Sequence, residues 1–465
     1  LVLSVCAGAV LGLVHILFGR LVRRYLVNGR SMSAEILNAQ HNDDTFENIW
    51  QELKWRGLVH VSTDEAALEK ALSEESLTFY TGYDPTAASL HLGHLVQLLV
   101  MRRLQLAGHK PLGLVGGFTG LIGDPRQTSE RVLNSPEVVA EWVKSLRAQI
   151  ERFLSFEGEN AARMVNNLDW SGQMSALQLL RDVGKHFRVG TMVKKEIVAK
   201  RLNSDEGISY TEFSYQILQG LDFLELNRRF GCTLQTGGSD QWGNLTSGTE
   251  LIRKVEGKSV HAIGTPLITN SDGTKFGKSE GNAIWLNPQM CSPYAFYQFW
   301  LNTADADVVD RLKVFTFLTR AEIAEFAEKV EKEPFKREAQ KTLAYLVTSL
   351  VHGTEATDQA VAASEALFGK GDFAALDEAT LESVVAELPS AKLSEDRLDM
   401  ISVLTELGFA KSNSEARRIL KEGGASVNGV KVQGEDATIS KDDLLHGRFA
   451  MVRRGKKNQG AVELI

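Results

Sequence analysis

Cysteine is scarce in this chain: Cys6, Cys232 and Cys291 are the only three in 465 residues, and no C-x-x-C pair occurs. That usage excludes a disulfide framework and a cysteine zinc site, and it fits a reducing compartment. No internal repeat or low-complexity tract stands out, and a Walker-type GxxxxGKS/T loop is absent, so a P-loop is not the means of holding phosphate. Positive charge is also short, with 52 bases against 59 acids and a net charge of -7. Such a balance argues against a protein that coats nucleic acid wholesale, but it leaves room for a local basic module. Acids, in turn, are missing before Glu35. Leu1 to Phe18 is an apolar run broken only by Ser4, His15 and small residues, and Arg20, Arg23, Arg24 and Arg30 follow it. Residues 1–31 therefore read as a targeting leader or as a mis-assigned start upstream of Met32. A stable membrane span is not expected there.

What is present is ordinary for a globular protein, with 43% apolar and 24% charged residues. The length calls for two or three domains. From Leu77 to about Gly264 short apolar runs alternate with helical ones, the pattern of an α/β domain with a largely parallel, doubly wound sheet. Glycine-rich loops recur after expected strands near 80, 115 and 235, where such a sheet places one shared ligand site. Residues 293–350 read as helical. Residues 354–399 carry eleven acids against three bases and read as a solvated helical region plus linker. After Met400 the balance inverts to eleven bases against eight acids.

Three clusters carry chemistry. Leu77-Thr78-Phe79-Tyr80-Thr81-Gly82 is a strand, and Pro85 to His94 then leads into the helical run from Leu95. A strand, a turn and two histidines around Gly93 at a helix start suit a phosphate beside unpaired N–H groups, and glycine lets a flat base approach the backbone. Far downstream, Gly273-Thr274-Lys275-Phe276-Gly277-Lys278-Ser279 offers two lysines that can balance a polyphosphate. Between them Tyr215, Gln219 and Asp222 fall at i, i+4 and i+7 on one helical face, with Tyr80 able to face them, as the polar wall of a pocket for a small ligand.

Together with Gly120-Leu121-Ile122-Gly123-Asp124-Pro125 and Gly237 to Asn244, these residues resemble, in order, the signatures of bacterial-type tyrosyl-tRNA synthetases, class I aminoacyl-tRNA synthetases, over roughly Asn48 to Ile465. The resemblance implies that Tyr80 and Asp222 bind a tyrosine phenol and that Tyr215, Gln219 and Asp124 hold its ammonium group. Gly82, Asp84, Gly237, Asp240 and Gln241 would line the adenylate and carboxylate region. His91 and His94 would stabilise the α-phosphate, and Lys275, Lys278 and Ser279 the departing pyrophosphate. No general base is needed, because the substrate carboxylate is already a nucleophile; positioning and charge stabilisation suffice. Phe118 and Thr236 depart from the family's usual residues. The segment after Pro125 lacks a lysine often found there, with Arg126 and Arg131 as stand-ins.

The tail resembles an S-four-like RNA-binding module, with Ser414 to Gly429 as its core. Lys411, Arg417, Arg418 and Lys421 would form a positive face, joined by Arg453, Arg454, Lys456 and Lys457. The expected architecture is a doubly wound (Rossmann-type) catalytic domain over 47–284, a helical anticodon-region domain and linker over 285–390, and a small α+β RNA-binding domain over 397–465. The expected activity is a tyrosine–tRNA ligase with ATP as substrate, Mg2+ on the ATP phosphates, L-tyrosine and tRNA(Tyr) as partners, no protein-held metal and no stable membrane partner. A cytoplasmic homodimer is expected, with a mitochondrion or plastid as the alternative location if residues 1–31 are a true leader. The rival readings are a related ligase for tryptophan and a synthetase-derived RNA-binding protein such as a splicing cofactor.

Overall fold

The structure is a computed structural model that describes residues 36–125, 132–274, 276–279, 282–368, 371–432, 434–455 and 458–465. The segment 1–31, Arg126, Arg131, Lys275, Lys456 and Lys457 lie outside the described residues, and of Lys278 and Ser279 only the backbone is described. The described chain divides into two compact units, one of the residues up to Asn287 with Asp305–Ala339, the other of Pro288–Ala304 with Gln340–Ile465.

In the first unit six short strands form one sheet: β1 (Val61–Ser62), β2 (Thr78–Tyr83), β3 (Lys110–Val115), β4 (Arg163–Asn166), β5 (Cys232–Gly238) and β6 (His261–Thr265). Their order is β1-β6-β5-β2-β3-β4. Every pair is parallel except the edge pair β1 and β6. Parallel strands are covered on both faces, and Phe79, Tyr80 and Thr81 of β2 are accordingly all buried. The expected doubly wound sheet is present, and β1, β4 and β6 are strands that the apolar pattern did not single out. The chain runs outward from β2 through β3 to β4, then returns to the other side of β2 for β5 and β6. The loops after β2 and β5 therefore diverge and open a crevice at their carboxyl ends.

Helices α1 (Leu92–Leu106), α2 (Pro136–Glu151), α3 (Tyr210–Phe230), α4 (Trp242–Glu256) and α5 (Asp305–Phe315) belong to this unit. Leucines and valines recur on every side of α1, and nearly the whole helix is buried, from Leu92 to Gln105. The expected helix 175–183 is a single α turn, Ala176–Gln178, that widens into a π-helical turn at Leu179–Val183. A two-strand hairpin, β7 (Lys278–Ser279) with β8 (Asn282–Ala283), ends the unit's first segment.

The second unit joins helices to a five-stranded sheet of β9 (Ser390–Leu393), β10 (Ala425–Val427), β11 (Val430–Val432), β12 (Phe449–Arg454) and β13 (Asn458–Leu464), in the order β11-β10-β12-β13-β9. Residues 354–399 are less solvated than their acids imply. Helix α6 (Thr354–Leu367) buries Ala360, Ala363 and Ala366, and α7 (Glu378–Ala386) buries Leu381, Val384 and Val385. The supposed linker holds β9, which pairs in parallel with β13. Alanine at helical spacing was the missed signal, because a small apolar side chain permits close helix packing without a strong hydrophobic pattern. The amphipathic helix α8 (Asn413–Lys421) packs Ala416, Ile419 and Leu420 into the core of this sheet.

Buried charge ties the first unit together. Glu52 and Arg103 are almost wholly buried; Glu52 accepts from Arg56 Nε at 2.8 Å and lies 3.5 Å from Arg103 Nη1. Arg56 in turn donates to the carbonyls of Lys313 and Leu318. Glu52→Gln would leave Arg103 and Arg56 buried with only the carboxylate of Asp43 near Arg56, a change expected to cost about 3–5 kcal/mol. Urea denaturation of both proteins measures it, and a loss of less than about 1 kcal/mol would contradict this role.

Candidate functional site

The crevice holds a cavity of about 450 Å³. Tyr80, Gly82 and Asp84 come to it from the end of β2, Gly237 from β5, and Asp240 and Gln241 from the turn that follows. Helix α3 supplies Tyr215, Gln219 and Asp222, the start of α1 supplies His91 and His94, and Asp124 enters after β3. Every expected site residue with a described side chain, the tail's four apart, thus lines one space. Phe276 of the lysine loop lines it as well.

At its base lies Asp222, 2% exposed. Its two oxygens accept from Trp170 Nε1 at 2.9 Å and Asn167 Nδ2 at 3.0 Å. Burial pushes this carboxyl up to about 7 against the pull of the two donors, and the charges of Asp84 and Glu225 add to the rise. Asn167 is itself fixed, since its Oδ1 accepts from Phe118 N at 2.7 Å. The hydroxyl of Tyr80 is buried there with no hydrogen-bond partner among the described residues. Burial first, then the charge of Asp222, holds that phenol well above its ordinary value, so it is a proton donor at neutral pH. A donor awaiting an acceptor and a carboxylate with acceptor capacity together suit a ligand hydroxyl.

Acids line the middle of the cavity. Asp84 accepts from Tyr215 Oη at 2.5 Å and from Thr119 Oγ1 at 2.6 Å. Gly116 is required beside it, because a Cβ there would sit 2.0 Å from Asp84 Oδ1. Asp124 is held by Gln241 Nε2 at 3.0 Å and Asn244 Nδ2 at 3.2 Å. With Asp222 and Asp240 these carboxylates favour a cationic group.

The histidine end is neutral and donating. His91 caps α1: its Nδ1 accepts from Gly93 N at 3.0 Å, and His94 Nδ1 accepts from His91 N at 3.2 Å. Both acceptor nitrogens lack a proton, so each neutral ring keeps its N–H on Nε2. Burial, and then the neighbouring His91 imidazole, holds His94 well below the usual imidazole range. The rings stack with centroids 3.9 Å apart. Gly93 leaves space for this cap, since a Cβ would lie 2.9 Å from the His91 ring. The helix-start N–H groups expected to meet an anion are already engaged: Leu92 N donates to Ile284 O, Gly93 N to His91, and His94 N to His91 O. These N–H groups are therefore not open to an anion, and the ring N–H groups are the donors this end presents.

The same backbone brings the lysine loop alongside. Ile284 N donates to Gly277 O at 2.9 Å, Leu92 N to Ile284 O at 3.2 Å, and Leu286 N to Leu90 O at 2.9 Å. Two signatures far apart in the chain thus share one hydrogen-bonded seam. The geometry is that of an enzyme that joins a small hydroxylated, cationic ligand to a phosphate-bearing one.

Comparisons with known proteins agree. Residues 72–369 match the family model of tRNA synthetases class I (W and Y), and residues 380–462 match the tyrosine–tRNA ligase SYY-like C-terminal domain. The chain belongs to the class I tRNA synthetase (W and Y) family. It is 64% identical to the tyrosine–tRNA ligase of Leifsonia xyli subsp. xyli over 433 residues, covering 93% of this chain and 98% of that protein. It is 62% identical to the tyrosine–tRNA ligase of Streptomyces avermitilis, covering 90% and 99%. Among solved structures it resembles a C-terminally truncated mitochondrial tyrosyl-tRNA synthetase from Aspergillus nidulans, with a TM-score of 0.63 and 29% identity over 72% of this chain and 97% of that one.

Sequence reasoning missed Asn167, Trp170 and Thr119, which position the carboxylates of the pocket. No local signal marks them, since Asn167 and Trp170 lie 55 and 52 residues from Asp222. In the tail, Lys411, Arg417, Arg418 and Lys421 are exposed on or beside α8. Arg453 and Arg454 do not extend that face freely. Arg454 pairs with Glu415 at 3.0 Å, and Arg453 donates to Gln459 and to the Leu367 carbonyl.

Asp222 yields a stability test with a defined sign. Its carboxyl loses its proton near 3.8 when unfolded and near 7 when folded. Between those values the native state binds more protons, so stability falls as pH rises, on the order of 1 kcal/mol per pH unit, and levels off above 7. Denaturation of the ligand-free protein from pH 4 to 8 is expected to show this slope, and Asp222→Asn to lack it. An equal slope in both would refute the assignment.

Proposed function

We propose that this chain is a tyrosine–tRNA ligase in which Tyr80 and Asp222 read the substrate phenol. The carrying observation is the buried Tyr80 hydroxyl, without a partner among the described residues, lining the same cavity as the Asp222 carboxylate. The phenol oxygen accepts from Tyr80 and its proton is donated to Asp222, while Tyr215, Gln219 and Asp124 hold the ammonium group. Gly82, Asp84, Gly237, Asp240 and Gln241 border the adenylate and the substrate carboxylate. That carboxylate attacks the α-phosphorus of ATP, pyrophosphate leaves, and the tyrosyl group then passes to the terminal ribose of tRNA(Tyr).

Charge accumulates on the phosphate oxygens in the first step. His91 and His94 are suited to meet it with their Nε2–H groups, and Lys275, Lys278 and Ser279 to meet the pyrophosphate, which makes their contribution one of transition-state charge stabilisation. Among the described residues no group of three or more His, Cys, Asp or Glu side chains converges on a metal position. Mg2+ in this reading is carried by the phosphates of ATP, whose charge it offsets.

Residues 47–284 form the catalytic domain in this proposal, 285–390 the helical anticodon-region domain, and 397–465 the RNA-binding module. Lys411, Arg417, Arg418 and Lys421 meet the tRNA backbone. A homodimer is supported by large apolar side chains exposed in the first unit, among them Leu177 at 68%, Leu180 at 58% and Val189 at 63%. No helix among the described residues is long and apolar enough to cross a membrane. We place the enzyme in the cytoplasm, where ATP and uncharged tRNA are supplied.

Tyrosine-dependent ATP–pyrophosphate exchange tests the reading. Exchange with tryptophan alone or with neither amino acid would defeat it. Tyr80→Phe is expected to lower the preference for tyrosine over phenylalanine by about 1–3 kcal/mol, roughly 5- to 150-fold. Unchanged discrimination would contradict the phenol assignment. For the tail, Arg417→Glu combined with Arg418→Glu is expected to leave exchange intact, weaken tRNA charging and flatten its salt dependence. Equal charging at all salt concentrations would remove α8 from the RNA surface.

A further inference from the structure

We infer that Arg311, on α5, is a positioning residue for the lysine loop. The inference rests on the proposed ligase reaction. Arg311 is 5% exposed and does not line the main cavity; it lines a separate recess of about 250 Å³ behind the segment Pro266–Thr269. From there its guanidinium lies over the ring of Phe276, 4.5 Å from the centroid. It also donates to Thr269 O at 2.7 Å, with Asn270 Oδ1 at 3.4 Å. One planar cation thus holds both the entry of the loop and its central aromatic.

The rest of α5 completes the grip. Asp307, one turn earlier, accepts from Ser271 N at 3.0 Å and from Ser271 Oγ at 3.1 Å. Phe315, one turn later, packs against Phe276 with ring centroids 5.5 Å apart. Beyond Phe276 the chain is held by Ile284 N on Gly277 O, and Ile284 O in turn receives Leu92 N from the start of the histidine helix. Phe276 is therefore clamped between α5 and the α1 seam, and it stands in sequence between Lys275 and Lys278. Fixing that ring, with Thr269 and Asn270 before it and Gly277 after it, fixes the described backbone of the loop. A lysine at 311 would keep the charge but lose the flat, forked donor set that permits stacking and carbonyl binding together.

Such a residue affects only the step in which pyrophosphate forms. The test compares the two half-reactions of the full-length enzyme. Arg311→Met is expected to lower the turnover of tyrosine-dependent ATP–pyrophosphate exchange roughly 10- to 100-fold, with the tyrosine KM within about two-fold of wild type. Single-turnover transfer from preformed tyrosyl-adenylate complex to tRNA(Tyr) is expected to be unchanged, because pyrophosphate has already left. Arg311→Lys should not restore exchange. Phe276→Leu keeps an apolar contact for Phe315 but removes the ring face, so it should give the same split. The double variant should fall no further than Arg311→Met alone.

A parallel loss in both half-reactions would mean general destabilisation and would overturn the inference. So would additive losses in the double variant, or exchange at the wild-type rate in Arg311→Met. Absence of exchange in the wild-type enzyme would instead remove the functional reading and this inference with it.

Discussion

The parallel pairing of β2 with β5 is the constraint on which the site depends. These strands are far apart in sequence, and each continues into a different half of the sheet. Where they lie side by side, the loops at their carboxyl ends turn away from one another. That divergence makes room for a ligand and sets Tyr80, Gly82 and Asp84 opposite Gly237 and Asp240. Thr81 and Thr236 share a 2.5 Å hydroxyl contact across the pair, which spares both buried groups from lacking a partner.

Around this opening the chemistry is graded. At the deep end, a carboxylate kept partly protonated by burial sits beside a phenol with an unused proton. Next come the acids Asp84 and Asp124, fixed in place by Tyr215 and Thr119 and by Gln241 and Asn244. At the outer end stand two neutral imidazoles with their remaining protons on Nε2, joined by backbone hydrogen bonds to the lysine loop. A substrate with a hydroxyl, an ammonium group and a carboxylate finds a matched environment in that order.

Much of this order was legible along the chain. The pair His91 and His94, the stripe Tyr215, Gln219 and Asp222, and the two-lysine loop each have a local spacing that survives without knowledge of the fold. The parallel sheet was legible because its buried strands leave apolar runs between glycine turns. Strand β4 was not, since Arg163-Met164-Val165-Asn166 is short and half polar and is a strand only through its pairing with β3. Helix α6 hid its buried face behind alanines and a heavy load of acid. The occupied N–H groups at the start of α1 were equally hidden, because their acceptors include Ile284 from a distant segment.

The residues themselves determined the reactive inventory: which donors, acids and cations exist, and which fall on one helical face or one turn. Local geometry is enough for that, because helix and turn spacings span only a few residues. Tertiary structure decided which of those groups are tuned and by what. Asn167 and Trp170 reach Asp222, and Arg311 reaches Phe276, only after nonlocal strands and helices have packed. Burial that raises one carboxyl and leaves one hydroxyl without a partner is a property of the assembled interior. No window of sequence contains it.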